Sequence, residues 1–360
     1  MPVYFETVDL VRFRSLREVH LKLGRGMFVL LGPNAQGKTN FLEALFLLAR
    51  GFSPFHASDE ELILFGEESA LLSARFVEGG VPSLRQVLLT RSGKREWRRD
   101  GKVERRRFLL PLSGFFPGDL ALIDGEPKRR RDFVDDALSF IRPGLGEVLG
   151  NYEKVLARRN LLLREGGPRE LVDAYGEQLV ALGARIVEER LKYLRVLSPF
   201  FLKTFELFLG ERGGFRMEYR ARGYEVEEGI LEGLGRARKA LEEEERGRGM
   251  TLFGPHRDEI LFLFGDRDVR EFASFGEKKS IALALRMAEK AVIQWIKREE
   301  AVLLLDDAFP GLDRKKRGAL CTLVARESQA FLTTTEEDVA LELSKEGARV
   351  LLVEEGKIKG

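Results

Sequence analysis

The sequence predicts an α/β head of mixed sheets and helices, interrupted by an inserted compact helical arm, and three observations carry that prediction. A glycine-rich turn lies between an apolar strand and a helix in "LLGPNAQGKTNFLEALFLLARG", Leu30 to Gly51. A second apolar strand, in "EEAVLLLDDAFPGLDRKK", Glu299 to Lys316, ends in two carboxylates. More than 250 residues separate the two, and the texture between them turns from strand-like to helical and back.

Residues 1–118 carry short alternating apolar segments, such as "ALLSARFVEG" and "RQVLLTR", divided by Gly-rich turns, the pattern of strands in a mixed sheet. Between 119 and 250 the period becomes helical. Leu171, Tyr175, Leu179, Leu182 and Ile186 recur at three and four after a Gly-Gly-Pro start that suits a helix beginning at Pro168. "VEEGILEGLGRARKALEEEERGRG" reads as a second, charged helix ending near Gly249. Neither run sustains heptads over many turns, so a compact arm is expected rather than a long coiled coil. Strand texture returns after 250. The expected domains are a discontinuous head, 1–118 plus 251–360, and an arm, 119–250.

Composition narrows the function classes. A chain of 360 residues can bury a large core and fill two domains. No apolar stretch is long enough to span a bilayer, and the N-terminal "MPVYFETVDLVRFRSL" lacks a signal peptide's apolar region, so a cytoplasmic protein with no membrane partner is expected. The single cysteine, Cys321, excludes an intrachain disulfide or a cysteine-based metal cluster, and its setting in "ALCTLVA" reads as core. With only His20, His56 and His256, a zinc site is not expected. A net charge of +2 does not mark the whole chain as a nucleic-acid binder, so any DNA contact must come from local patches.

Gly32, Gly37, Lys38 and Thr39 fit G-x-x-x-x-G-K-[ST] between the strand and helix that this motif requires. Backbone N–H groups of such a turn point inward, and the helix N-terminus adds partial positive charge. Gly32, Pro33, Asn34, Ala35, Gln36, Gly37, Lys38, Thr39 and Asn40 are therefore expected to cradle the phosphates of ATP, with Lys38 on the β/γ oxygens and the Thr39 hydroxyl on Mg²⁺. At the second strand, Asp306 is expected to hold Mg²⁺ and Asp307 to orient or deprotonate the attacking water. Just upstream, in "REFASFGEKKSIALALRMAEKAVIQWIKR", Ser274, Phe275, Gly276 and Glu277 open a long amphipathic helix. Alone, that stretch is equally a capping box, with Ser274 as cap and Glu277 three residues on. Beside the other two motifs it resembles the serine-glycine signature of ABC-type ATPases, which makes the head an ABC-type P-loop ATPase head. In such heads the signature completes the site of the opposite subunit, so Ser274 and Gly276 are expected to reach ATP held by a partner chain, in a homodimer formed when ATP is bound.

Further stretches extend the likeness: "LVRFRSLREVHLKL", "GPNAQGKTNFLEAL", "HASDEELILFGEE", "FFPGDLALIDGEPKRRRDFVDDAL", "LARRNLLLR", "TLFGPHRDEI" and "FLTTTEED". Over essentially its whole length the chain resembles the RecF family of bacterial ABC/SMC-type ATPases of DNA repair. The resemblance implies ATP-dependent dimerisation on double-stranded or gapped DNA, slow ATP hydrolysis, and help to the recombinase RecA through the mediator RecR. "GPHRD", with His256, Arg257 and Asp258, separates this family from most other ABC ATPases. The chain departs from the family pattern at Phe275, usually small or polar, and at Glu277, usually Gln. It also departs at Pro310 (Ser), Gly311 (acidic), Gly118 (Glu) and Ala57 (Arg). Thr333 to Thr335 stand where many ABC proteins carry a switch histidine, as is usual for RecF. These departures bear on nucleotide grip and hydrolysis rate, and leave open an ABC/SMC-type head with another DNA-processing role, or a nonhydrolysing nucleotide-binding scaffold.

Two basic segments compete for DNA. In "RSGKREWRRDGKVERRR", Arg91 to Arg107, the Asp100-Gly101 pair reads as a tight hairpin turn. Alternation is expected to put several of Lys94, Arg98, Lys102 and Arg106 on one face, diluted by Glu96, Asp100 and Glu104, and a solvated hairpin is the plainer reading. The other segment is "PKRRRD", Pro127 to Asp132, where Lys128, Arg129 and Arg130 are the candidate DNA contacts on a positive helix.

Overall fold

A computed structural model describes residues 1–104, 109–210, 214–226 and 229–360. Packing divides it into two units, one of Met1–Asp119, Lys203–Gly210 and Phe275–Gly360, the other of Leu120–Leu202 and Glu211–Ser274.

The strands of the first unit up to residue 119 are β1 (Val3–Phe13), β2 (Leu16–Lys22), β3 (Gly26–Leu31), β4 (Ser69–Glu78), β5 (Val81–Thr90), β6 (Arg95–Arg99), β7 (Lys102–Glu104) and β8 (Leu112–Phe115). Six of them form an antiparallel sheet in the order β2-β1-β4-β5-β6-β7. One face of this sheet is buried, which is why β5 alternates, with Ser83, Arg85, Val87 and Leu89 inward.

The second unit contributes β9 (Phe215–Arg220), β10 (Glu259–Phe264) and β11 (Arg267–Asp268), and the first unit resumes with β12 (Val302–Leu305), β13 (Gln329–Thr334), β14 (Arg349–Glu354) and β15 (Lys357–Lys359). The other sheet of the first unit runs β15-β14-β3-β13-β12-β8, parallel from β14 to β8 with β15 antiparallel at the edge. Every residue of β12 and β13 is buried, as a parallel sheet covered on both faces requires. The helix Lys38–Arg50 is apolar nearly all round for the same reason: Phe41, Leu42, Leu45 and Leu48 share one core with Phe5, Leu72, Phe28 and Phe331 of the two sheets. Its buried Glu43 is satisfied by Arg14, at 2.9 Å to each oxygen, and by Ser53 Oγ at 2.6 Å. Gln329 at the start of β13 joins the sheets, accepting from Phe5 N at 2.8 Å and donating to Phe5 O at 2.8 Å beside the bulge in β1. Cys321 lies in this unit's core, as its neighbours predicted.

The second unit is largely helical, with helices at Pro127–Ile141, Pro143–Glu165, Ile230–Ala240 and Glu242–Arg248 and most of the 41-residue helix Arg169–Leu209. Proline at the first helical position, where no N–H is needed, starts two of them, and left-handed Gly166 and Gly249 end two. The charged segment expected as one helix is two, broken at Leu241. Residues 251–274, expected with the head, pack with this unit instead, because β10 pairs with β9 residue for residue from Glu259↔Arg220 to Phe264↔Phe215. Its interior holds a polar knot: Arg159, 1% exposed, donates to Glu245 Oε2 at 2.7 Å and Thr251 Oγ1 at 2.8 Å, while Glu245 Oε1 accepts from Leu252 N at 2.6 Å.

Candidate functional site

β3 runs into the glycine turn, and three neighbours fix the turn's shape. A β-carbon on Gly32 would collide with the carbonyl oxygen of Val353 on β14, and one on Gly37, at φ +107°, would lie 2.8 Å from Leu16 Cδ2, so both positions demand glycine. Ala35 is also left-handed, at φ +62°. Gln36 binds the turn between β14 and β15: its Oε1 accepts from Glu355 N at 2.6 Å and its carbonyl from Gly356 N at 3.1 Å. Asn40 donates to Ser15 Oγ at 2.8 Å. Lys38 folds back over the turn, donating to the carbonyls of Gly32 at 2.6 Å and Pro33 at 2.7 Å. Burial holds its ammonium below the usual lysine range, against the pull of Asp306 and Asp307.

β12 delivers the two carboxylates to the same place. Asp306 is 1% exposed and accepts from Thr39 Oγ1 at 3.0 and 2.9 Å and from Thr333 Oγ1 at 2.7 Å. Burial raises its carboxyl above the usual range, and the bonds from Thr333 and Thr39 oppose the rise. A hydroxyl and a carboxylate in mutual contact form a hard, all-oxygen donor pair, the chemistry that suits Mg²⁺. Asp307 is exposed, and its backbone is left-handed at φ +50°, an uncommon state for a non-glycine residue. Its N–H donates to Thr333 Oγ1 at 2.9 Å and its carbonyl accepts from Lys279 Nζ at 2.8 Å. Asn34, Ala35, Gly37, Lys38, Thr39, Asn40, Pro117, Asp306, Asp307 and Thr333 together line a cavity of about 190 Å³. Of the other expected residues, Gly32 and Pro33 accept from Lys38 and Gln36 accepts from the β14–β15 turn, and Ser274 and Gly276 are not among the lining residues.

The bonds that Thr333 and Lys279 make in this site were not expected from the sequence, which marked Thr333 only as standing in the place of a switch histidine and Lys279 only as the second lysine after the serine-glycine stretch. Asp119 of "PGD" accepts from Phe116 N at 2.8 Å and from Arg286 at 2.7 Å, so the segment that brings Pro117 to the cavity is pinned to the helix Phe275–Lys297.

The DNA candidates fare differently. The helix that begins at Pro127 buries the face of Phe133, Val134, Ala137 and Leu138, and on it Lys128 and Arg129 are exposed while Arg130 is buried. Arg130 is 2% exposed, forks onto Glu259 at 2.9 and 3.0 Å and donates to the carbonyl of Gly125 at 2.8 Å. It is a structural ion pair, which removes it from the contact surface. Lys128 pairs with Asp132 at 2.6 Å. In the hairpin, Asp100 and Gly101 form the expected two-residue left-handed turn, but Arg98 pairs with Val103 and Arg99 with Lys102. Cross-strand partners share a face, so Arg98 and Lys102 point to opposite faces and the expected one-sided stripe is not formed. Arg106 lies outside the described residues. "GPHRD" is a loop entering β10. Its Asp258 is fully buried and accepts from Tyr219 at 2.6 Å, from Tyr224 and from Arg222 N at 3.0 Å, while His256 Nδ1 bonds Tyr152 OH at 2.7 Å.

Comparison with known proteins gives a family and a fold. The family model described as RecF/RecN/SMC N terminal domain matches residues 4–359. The DNA replication and repair protein RecF of Heliobacterium modesticaldum is 34% identical over 346 residues, 92% of each chain. That of Acidothermus cellulolyticus is 32% identical over 359 residues, 95% of this chain and 96% of its own. A solved structure of the recombination mediator protein RecF with ATP, in the RecFOR pathway, superposes with a TM-score of 0.87 at 26% identity, covering 99% of this chain and 97% of its own.

Proposed function

The chain belongs to the RecF family of RecF/RecN/SMC proteins, and from that premise we propose that it is a DNA-binding ATPase of recombinational repair. It hydrolyses ATP slowly, forms its dimer when ATP is bound, and on gapped or duplex DNA helps RecR and its partners to load RecA. The first unit acts as the ATPase head and the second as the arm. The observation that carries this reading is the convergence of Lys38, Thr39, Asp306 and Asp307 on one cavity.

In this reading Lys38 transfers its hydrogen bonds from the Gly32 and Pro33 carbonyls to the phosphates, and the turn's N–H groups hold the rest of their charge. Thr39 and Asp306 would hold Mg²⁺, which would supply charge neutralisation for the phosphates. Asp307, exposed at the cavity's rim, orients the attacking water and accepts its proton. A cavity of about 190 Å³ is small beside the ~300–1,000 Å³ of ordinary small-molecule sites, which supports completion by a second surface. Ser274 and Gly276 of the partner subunit supply that surface. Lys128 and Arg129 remain the basic residues of the arm proposed to meet DNA.

ATP binding and turnover, measured with and without gapped DNA, test the assignment. Lys38→Met is expected to lose tight ATP binding, whereas Asp307→Asn keeps it and accumulates the ATP-bound dimer. Ser274→Arg keeps ATP binding by the single chain and blocks the dimer. Equal loss of affinity in the first two variants, or a nucleotide-independent dimer indifferent to the third, refutes these roles.

A further inference from the structure

We propose that Lys279 is a positioning residue that ties the helix behind the Ser274–Gly276 stretch to Asp307 of the same chain, so that seating of that stretch on a partner's nucleotide is felt at the chain's own water-orienting carboxylate. This rests on the reading of the site as an ATP-hydrolysing dimer.

Lys279 lies in the second turn of the helix Phe275–Lys297 and is only 6% exposed. Its ammonium donates to two backbone carbonyls, Asp307 O at 2.8 Å and Pro310 O at 2.6 Å. Burying an ammonium against neutral carbonyls is costly, and burial indeed holds this lysine below its usual range against the pull of Asp307 and Glu336. An apolar side chain would suit a buried helix position better, so the lysine is explained by what it holds.

What it holds is the uncommon backbone of Asp307. The residue is left-handed, and its two flanking peptide groups are clamped from different elements: its N–H by Thr333 of β13, its carbonyl by Lys279. The first clamp belongs to the sheet and stays with it. The second rides on the helix that the serine-glycine stretch opens. That helix start also lies directly on the loop after Asp307: a β-carbon on Gly276 would be 3.2 Å from Gly311 O, and one on Gly311 would be 3.8 Å from Phe275 Cε1. Ser280 Oγ, bonded to Gly276 O at 2.8 Å, stiffens the first turn. A shift of the helix start therefore has to move the Asp307–Gly311 loop or break the two lysine bonds. Two of the chain's departures from the RecF pattern, Phe275 and Gly311, meet at this contact, the ring lying beside the position where the missing side chain would be.

Mixed dimers test the proposal, because each site joins the Lys38-to-Asp307 half of one chain to the serine-glycine stretch of the other. Lys279→Met is expected to keep ATP affinity within twofold and the ATP-bound dimer, while turnover falls at least tenfold; Lys279→Arg, which retains two donors, recovers it to within threefold. Retained ATP binding identifies the folded variant, and Lys279→Gln replaces Met if Met does not fold. In a dimer of a Lys279→Met, Asp307→Asn chain with a wild-type chain, the one live site has its own Lys279 and should turn over like the Asp307→Asn/wild-type control. In a dimer of a Lys279→Met chain with an Asp307→Asn chain, the live site lacks its own Lys279 and should be at least tenfold slower. Equal or reversed rates overturn the proposal and make Lys279 a support for the stretch it follows. A wild-type dimer without turnover would instead overturn the underlying reading, and the proposal with it.

Discussion

Replacing Thr333 by valine removes one oxygen from the centre of the site and almost nothing else, since the two side chains are close in volume and the position is 1% exposed. That oxygen donates to Asp306 at 2.7 Å and accepts from Asp307 N at 2.9 Å. A hydrogen bond to a charged group contributes about 1.5–3 kcal/mol, and leaving the part-buried Asp307 N–H without its partner adds at most about 1 kcal/mol, the low end for an unsatisfied donor. The two terms are not independent, because Asp306 relaxes by taking up a proton more readily once its strongest charge-stabilising bond is gone. We therefore expect a loss of stability on the order of 3 kcal/mol, read from urea denaturation. Turnover should fall at least tenfold as Asp307 loses one of its two clamps, while ATP affinity changes little. Thr333→Ser, which keeps the hydroxyl, should stay within about 1 kcal/mol of the wild type. A valine variant within about 0.5 kcal/mol of wild type, with unaltered turnover, would refute the bridging role.

Arg159→Met should cost about 3–5 kcal/mol in thermal or urea unfolding, because Glu245 is left buried with a single backbone donor. Arg130→Ala should destabilise by less, since Glu259 is 19% exposed and keeps Arg270 at 3.7 Å, whereas replacing Lys128 and Arg129 with Ala should leave unfolding unchanged and lower the slope of log affinity for duplex DNA against log salt by about 0.9 for each phosphate no longer neutralised. Gly32→Ala, by forcing β3 away from Val353, should abolish ATP binding in equilibrium dialysis even though Lys38 is intact. Burial pushes His256 down to about 4 from the ordinary 6.5, so between these values the unfolded chain takes up the proton first. The stability this neutral imidazole confers is complete above pH 6.5 and is lost as pH falls toward 4, on the order of 3 kcal/mol in all; His256→Asn should flatten unfolding midpoints over that window.

What could be read from the sequence was what is local. The glycine turn, its flanking strand and helix, and the apolar strand ending in Asp306 and Asp307 each lie within about twenty residues, and their chemistry is dictated by spacing. The contacts that complete the site are long-range. Thr333 meets Asp306 across the sheet and Lys279 meets Asp307 from a helix 28 positions earlier, and neither pairing leaves a mark on periodicity. Facing was harder still. Arg129 and Arg130 are neighbours with the same charge, and only the way their helix packs separates an exposed cation from a buried one. Arg98 and Lys102 are four apart, which suggests one face on a continuous strand, but a two-residue turn between 99 and 102 reverses that parity. The alternation of "FRMEYR" was present in the sequence, yet its partner β10 is more than thirty residues away, so the segment was absorbed into helical surroundings.

The brace between Gln36 and the Glu355–Gly356 turn has a consequence for how the protein is made. The two sides of that contact are 319 positions apart, and the same late segment supplies Val353, whose backbone shapes the entry to the glycine turn. A ribosome adds roughly 5–20 residues per second, so the turn leaves the ribosome tens of seconds before its brace is synthesised. During that interval the nascent chain carries the complete phosphate motif without the strand that gives it shape. Premature termination before β14 should therefore yield fragments that do not compete for ATP, and chains arrested on the ribosome through an added C-terminal tether long enough to expose Gly356 should show a protease resistance around Gln36 that chains arrested before β14 lack.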